Sequence, residues 1–186
     1  MSLKMERRGK SSRIVILIFF ILFLMWSVLQ FLVPLSLPHG SINDLSGHTA
    51  VSDNEELFSD IPIPWNAVYS VGDRLCHQKA ERSFFINDNQ MPFCSRCMAI
   101  WLGLAIGLGF MVFYRIQLNE KFLFIVIAGL APIGIDGIGQ LFGFWESTNI
   151  MRVVTGLIIG SICGISIGII IDEIKTFRLF KKTKSN

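Results

Sequence analysis

The residues best suited to chemistry are Cys76-His77 and, further along, Cys94-Ser95-Arg96-Cys97. A Cys-x-x-Cys pair puts two sulfurs on one turn, where both reach one ion, and is the common half of a tetrahedral zinc site. Cys76 would add a third sulfur, and His77 or an outer carboxylate the fourth donor. Adjacent Cys76 and His77 are crowded for a single ion. Two other chemistries fit the same residues. The helix start at Cys97 and the cationic Arg96 would stabilise a reactive thiolate. An oxidising compartment would instead favour a structural disulfide, leaving one of these three thiols free. Cys163 sits in an apolar stretch and reads as a small packing residue.

Two further groups carry polar chemistry. Asp136 and Gln140 lie four residues apart, on one helical face, within an otherwise apolar run. A carboxylate in such a run is costly and marks a functional candidate, with Asp136, Gln140 and Arg152 as the catalytic set. The plainer reading makes Asp136 an internal partner of Arg152 that orients two helices. Ser147-Thr148-Asn149 precedes Arg152, Thr155 and Gly156. Arg82, Arg96, Asn149 and Arg152 together suit an anion, because the guanidinium fork matches phosphate or carboxylate. Helix capping and a snorkelling Arg152 would explain the third group equally well.

The elements that must position these residues are membrane spans. The chain is 52% hydrophobic and 17% charged, with a mean hydropathy of +0.55; soluble domains carry about 25% charged residues. Disorder, coiled coil and collagen are excluded, and the net charge of +3 gives nucleic acid no footing. Four runs match the roughly 20 apolar residues that cross a hydrocarbon core: 14–33, 97–114, 122–144 and 153–171. The predicted fold is therefore all-α and polytopic. The first run reads as an uncleaved signal anchor, since no small-residue cleavage site follows it.

Basic residues near the spans set the orientation. Residues 1–13, the loop from Arg115 to Lys121 and the tail 172–186 hold twelve of the 17. Both termini are thus expected in the cytoplasm, and all three polar groups at the outer face of a cell membrane. Residues 34–64 read as a solvated outer linker, and 65–171 as the membrane domain with its Cys/His loop. Within that loop, Trp65 to Leu75 suits a short interfacial helix. Ser83 to Ile86, a turn at Asn87-Asp88-Asn89 and Met91 to Phe93 suit a hairpin that returns Cys94 towards Cys76. Gly156, Gly160, Gly164 and Gly168 recur every fourth residue, as do Ala99, Gly103 and Gly107. Such smooth faces allow close helix approach, within one chain or across a homodimer. Trp26, Trp101 and Trp145 read as interfacial anchors.

Several motifs together resemble one prokaryotic membrane-protein family. They are Cys76-His77-Gln78, Arg82-Ser83-Phe84-Phe85, Cys94-Ser95-Arg96-Cys97, Asp136-Gly137-x-x-Gln140 and Ser147-Thr148-Asn149-x-x-Arg152-x-x-Thr155-Gly156. The family is domain-of-unknown-function family 2085, and the resemblance runs from about Cys76 to Gly168. Met98-Ala99-Ile100-Trp101 departs from the Gly-Ile-Tyr expected after the second cysteine. The resemblance implies a small multi-span membrane protein and supplies no activity, substrate or cofactor.

Three functions are consistent with the residues. The first is a zinc-dependent protein acting on a lipid or polyprenyl phosphate head group, with membrane lipids as its partners. The second is a membrane thiol–disulfide oxidoreductase. The third is a non-enzymatic transporter subunit or assembly factor braced by the cysteines. The shared topology is testable. Alkaline phosphatase fused after Asp60 should be active and a fusion after Leu118 inactive; the reverse result would invert the orientation.

Overall fold

The computed structural model describes the helical backbone from Lys10 to Thr183 and side chains from Ser12 to Ile174. Most basic residues of the two terminal tails fall outside the described side chains. Six α-helices and one short hairpin follow in order: α1 (Lys10–Ser36), α2 (Glu55–Ser59), α3 (Trp65–Leu75), β1 (Phe85–Ile86), β2 (Asn89–Gln90), α4 (Ser95–Phe113), α5 (Glu120–Leu141) and α6 (Asn149–Thr183). A 3-10 turn over Ala80–Arg82 precedes the hairpin. Four helices are long and apolar enough to cross a membrane: α1, α4, α5 and α6. Helices suit such spans because their backbone hydrogen bonds close largely within the segment, as hydrocarbon demands. The stretch from residue 172, expected as a tail, continues α6 through Thr183.

The ends of these helices follow from their caps. Asn119 Oδ1 accepts the Phe122 N–H at 2.9 Å to start α5. Thr148 Oγ1 accepts the Met151 N–H at 3.3 Å to start α6. The α5 helix stops at Leu141, before the expected 144, because Gly143 turns left-handed at φ 71. The Phe144 N–H then reaches back to the Gly139 carbonyl at 2.9 Å. That reversal lays the Trp145 ring on Gly139, where any Cβ would collide with it.

The α4 and α6 helices form the tightest pair, and their small residues are the reason. A Cβ on Gly103 would lie 2.7 Å from the Leu157 carbonyl oxygen, and one on Gly156 2.7 Å from that of Arg96. Gly107, Gly160 and Gly164 are closer still to the facing backbone. The two smooth faces expected from the sequence therefore meet each other within one chain. By contrast, Gly134 and Gly137 on α5 face open space. Cys163, expected among packing residues, is exposed on α6.

Residues 34–64, read from composition as a solvated linker, are instead built into the fold. Ile42, Leu45, Phe58 and Ile61 are buried with Val33 and Leu37, and with Val68 and Tyr69 of α3. The scattered polar residues that suggested a linker are used as clamps. Buried Asp73 accepts from the Asn54 side chain at 2.7 Å and from its backbone N–H at 3.2 Å. Asn89 accepts the Ile42 N–H at 3.0 Å and donates to the Pro34 carbonyl at 3.0 Å. Gln90 accepts the Leu45 N–H at 3.1 Å, and the Tyr69 hydroxyl donates to the Gln90 carbonyl at 2.7 Å. Four apolar residues at irregular spacing carry no periodic signal, so composition alone mistook this segment.

The α3 helix spans the expected residues. The hairpin is tighter than expected: Phe85 pairs with Gln90 and Ile86 with Asn89. Asn87 and Asp88, both at φ 55, form its two-residue turn, so Asn89 belongs to the second strand. The α4–α6 seam has a clear test. Gly160→Val should cost about 1–3 kcal/mol or more in detergent unfolding. Gly134→Ala, in open space, should stay within about 0.5 kcal/mol.

Candidate metal centre and anion site

The hairpin returns the chain so that Cys94, the residue capping α4, stands beside Cys76 at the end of α3. One sulfur from each of Cys76, Cys94 and Cys97 lies within 4.8 Å of the other two. A tetrahedral ion bonded to thiolates at about 2.3 Å would set its sulfurs about 3.8 Å apart, so the trio can hold a metal ion. Backbone donors surround the sulfurs. The Gln78 and Cys94 N–H groups point at Cys76 Sγ from 3.5 and 3.4 Å. Arg96 and Cys97 aim theirs at Cys94 Sγ from the first turn of α4. The first of these contacts requires Gln78 to sit left-handed, at φ 44. Its buried side chain fixes it there by donating to the Pro92 carbonyl at 2.7 Å.

The thiols share their protons unequally. Hydrogen bonds from Cys76 and then Cys97, followed by the backbone donors, hold the Cys94 thiol far below the ordinary thiol range. The bond to Cys94 works the other way on Cys76, whose thiol is raised. The surroundings of Cys94 therefore favour its thiolate, and thiolate is the form that ligates metals. An apolar wall encloses the group: Met91, Phe93 and Met98 are buried around it, with Trp26 and Trp101 packed against them. Trp26, Phe93 and Trp101 meet edge to face, with centroids 6.0–6.3 Å apart. The two tryptophans therefore wall the cysteine centre rather than standing alone as surface anchors.

His77 does not join this centre. Its ring is exposed and lies beside the Thr49 hydroxyl, 3.4 Å from Nε2. The extended backbone at Cys76 sends successive side chains to opposite sides, so His77 points out as Cys76 points in. Three sulfurs, without the expected imidazole, are what the fold brings together.

The polar residues of the spans gather at the same end of the bundle. Asp136 is 2% exposed, and both of its oxygens are engaged. Oδ2 takes an ion pair from Arg96 and a 3.1 Å bond from Gln140 Nε2, while Trp145 Nε1 reaches Oδ1 from 3.3 Å. The ionic partner of Asp136 is therefore Arg96 of α4, and not Arg152. Arg152 is 6% exposed, so it does not snorkel, and its Nη1 donates to Asn149 Oδ1 at 3.0 Å. The Ser95 hydroxyl donates to the same oxygen, also at 3.0 Å. Arg82 and Arg96 lie within electrostatic reach of Arg152, as does Asp136. Arg82, half-exposed, stands 3.8 Å from Glu81.

Sequence reasoning missed Ser95 and Trp145. Ser95 was hidden as the filler of a Cys-x-x-Cys motif, and Trp145 as an apparent membrane anchor. The spacing of Trp145 beyond a helix-stopping Gly143 was the available signal, but only a folded turn shows where the indole lands.

An uncharacterized protein of Methanocaldococcus jannaschii is 34% identical over 114 residues, covering 59% of this chain and 70% of that protein. An uncharacterized protein of Methanothermobacter thermautotrophicus is 34% identical over 83 residues, covering 45% of this chain and 75% of its own. No solved structure matches.

Two substitutions test the site. Metal held by the trio would be largely lost in Cys94→Ser and kept in His77→Ala, as metal analysis of the purified variants would show; equal losses would restore His77 as a ligand. Asp136→Asn should destabilise the fold by about 3 kcal/mol, the low end for stranding one member of a buried pair, because Arg96 keeps 24% of its side chain exposed. The profile of the predicted membrane protein family DUF2085 matches residues 76–169, from the first cysteine to the end of the α4–α6 seam, and the chain belongs to that family.

Proposed function

We propose that this protein binds the phosphate of a membrane head group at the outer face, beside a zinc–thiolate centre formed by Cys76, Cys94 and Cys97. The carrying observation is Arg152. It is a buried cation whose polar contact is an amide oxygen of Asn149, while the nearby carboxylate of Asp136 is engaged by Arg96, Gln140 and Trp145. A buried charge without a counter-ion is costly and invites an anion. Arg96 supports the same reading, since its Nε is buried without a hydrogen-bond partner. Two forked guanidinium groups with donors left over suit a tetrahedral phosphate.

In this reading Asp136 is a positioning residue. With both oxygens occupied, it holds Arg96 in place and is not free to take a proton from a substrate. Ser95 and Asn149 do the same for Arg152. Zinc suits the three thiolates and, when bound, would supply a Lewis acid whose fourth position a water or a phosphate oxygen can take. Ser95 and Arg96 fall between two of its ligands, so the motif that holds the metal also aims a cation.

The lowered Cys94 thiol beside Cys97 favours a second reading, thiol–disulfide exchange at the same centre. Zinc content decides between them: alkylation of Cys94 that depends on redox state, in metal-free native protein, would select exchange. For the first reading, Arg152→Gln should weaken binding of inorganic phosphate by about 10–100-fold, the share of a charged hydrogen-bonding group. His77→Ala should bind normally. Unchanged affinity in Arg152→Gln would remove the proposal.

A further inference from the structure

We propose that Gln78 is the positioning residue of the cysteine centre, holding Cys76 and Cys94 at the separation that a shared metal ion needs. This rests on the zinc–thiolate reading above and deepens it, by naming what assembles the ligands without being one. Cys76 ends α3 whereas Cys94 opens α4, so their sulfurs meet across two separate stretches of chain. Gln78 joins those stretches. Its Nε2 donates to the Pro92 carbonyl at 2.7 Å, linking the residue two beyond Cys76 to the residue two before Cys94. The Gln78 N–H points at Cys76 Sγ from 3.5 Å, and the Cys94 N–H reaches the same sulfur from 3.4 Å. The Gln78 carbonyl accepts from Gln90 Nε2 at 2.5 Å. One residue thus ties together the Cys76 sulfur, the approach to Cys94 and the second hairpin strand.

Two unfavourable features at this residue argue against a mere filler. Gln78 is fully buried and its Oε1 has no hydrogen-bond partner, so its donor is the part of the amide in use. Its backbone is left-handed at φ 44, which a residue with a Cβ adopts unfavourably. Such a conformation persists where the surroundings over-determine it, and these outliers gather at functional sites. A residue chosen for packing would need neither feature. Here both serve the sulfur: the left-handed turn aims the N–H at it, and the amide locks the turn. The end of α3 leaves room for that amide. A Cβ on Gly72 would lie 2.8 Å from Gln78 Nε2 and would collide with the Pro92 carbonyl. The Gly72 carbonyl in turn accepts the Cys76 N–H at 2.9 Å. The helix turn that presents Cys76 therefore also receives the clamp.

The test titrates the full chain in detergent with cobalt(II), whose thiolate charge-transfer band reports on the bonds to sulfur. Gln78→Met keeps the volume and removes the donor. It should weaken cobalt binding by about 10–100-fold, the usual effect of losing a group that orients a metal ligand. Its band should move to longer wavelength, since a sulfur that loses an N–H bond holds its electrons less tightly. Gln78→Gly should bind more tightly than Gln78→Ala, because glycine keeps the left-handed turn without strain. Packing alone predicts normal binding by Gln78→Met and no advantage for glycine. Gly72→Ala, which alters no donor, should lower affinity as Gln78→Met does. His77→Ala should match the wild type in affinity and spectrum. Wild-type affinity and an unshifted band in Gln78→Met would overturn the role of Gln78 while the metal centre stood. Wild-type protein that takes up no cobalt would instead remove the metal reading itself. If Gln78→Met does not fold, the two smaller variants decide: Gln78→Ala binding as tightly as Gln78→Gly would overturn the proposal.

Discussion

The part-buried ion pair between Arg96 and Asp136 ties the whole arrangement together. Arg96 sits in the first turn of α4, between Cys94 and Cys97, and Asp136 near the end of α5. One bond therefore joins the cysteine centre to a helix that otherwise packs loosely. Neither charge is tolerable alone in an apolar bundle, and the carboxylate is held because both of its oxygens are supplied. Gln140 and Trp145 fill the other positions on the carboxylate. The consequence for Arg152 is direct. Because Asp136 is consumed by Arg96, the nearby guanidinium of α6 keeps its charge without a carboxylate to hold.

That geometry depends on how closely α4 and α6 approach. Their glycines remove the Cβ atoms that would separate them, so Ser95 and Asn149 come within hydrogen-bonding distance across the helix starts. The seam is thus more than packing: it sets Arg96 and Arg152 side by side. On the other flank, α5 has glycines that face nothing, and a groove remains. The same residue type closes one interface and leaves the other open, according to whether a second smooth face opposes it.

The segment between α1 and α4 supplies the third cysteine and the cover. Its core of Ile42, Leu45, Phe58 and Ile61 is stitched to the hairpin by Asn89 and Gln90. The hairpin in turn fixes where Cys94 stands relative to Cys76. The segment's role is therefore to hold a loop rigid enough for three sulfurs to share one point, a requirement of any preorganised ligand set.

Much of this was legible beforehand, and the division has a physical basis. The four spans, the short helix over Trp65 to Leu75 and the meeting of Cys94 with Cys76 follow from local rules: hydrophobic length, periodicity and turn chemistry act between near neighbours. The polar end of the bundle was equally readable, since charges in apolar runs are expensive enough to be conspicuous. Partner choice was not. Asp136 was expected to pair with Arg152, and the preference for Arg96 comes from helix rotation set by the glycine seam. His77 was excluded by the direction of an extended backbone, and Trp145 recruited by a left-handed turn. The amino-acid sequence by itself determined which elements form and which groups must avoid lipid. Only the tertiary structure decided which of those groups satisfy one another, because that depends on distances across helices that no local pattern encodes.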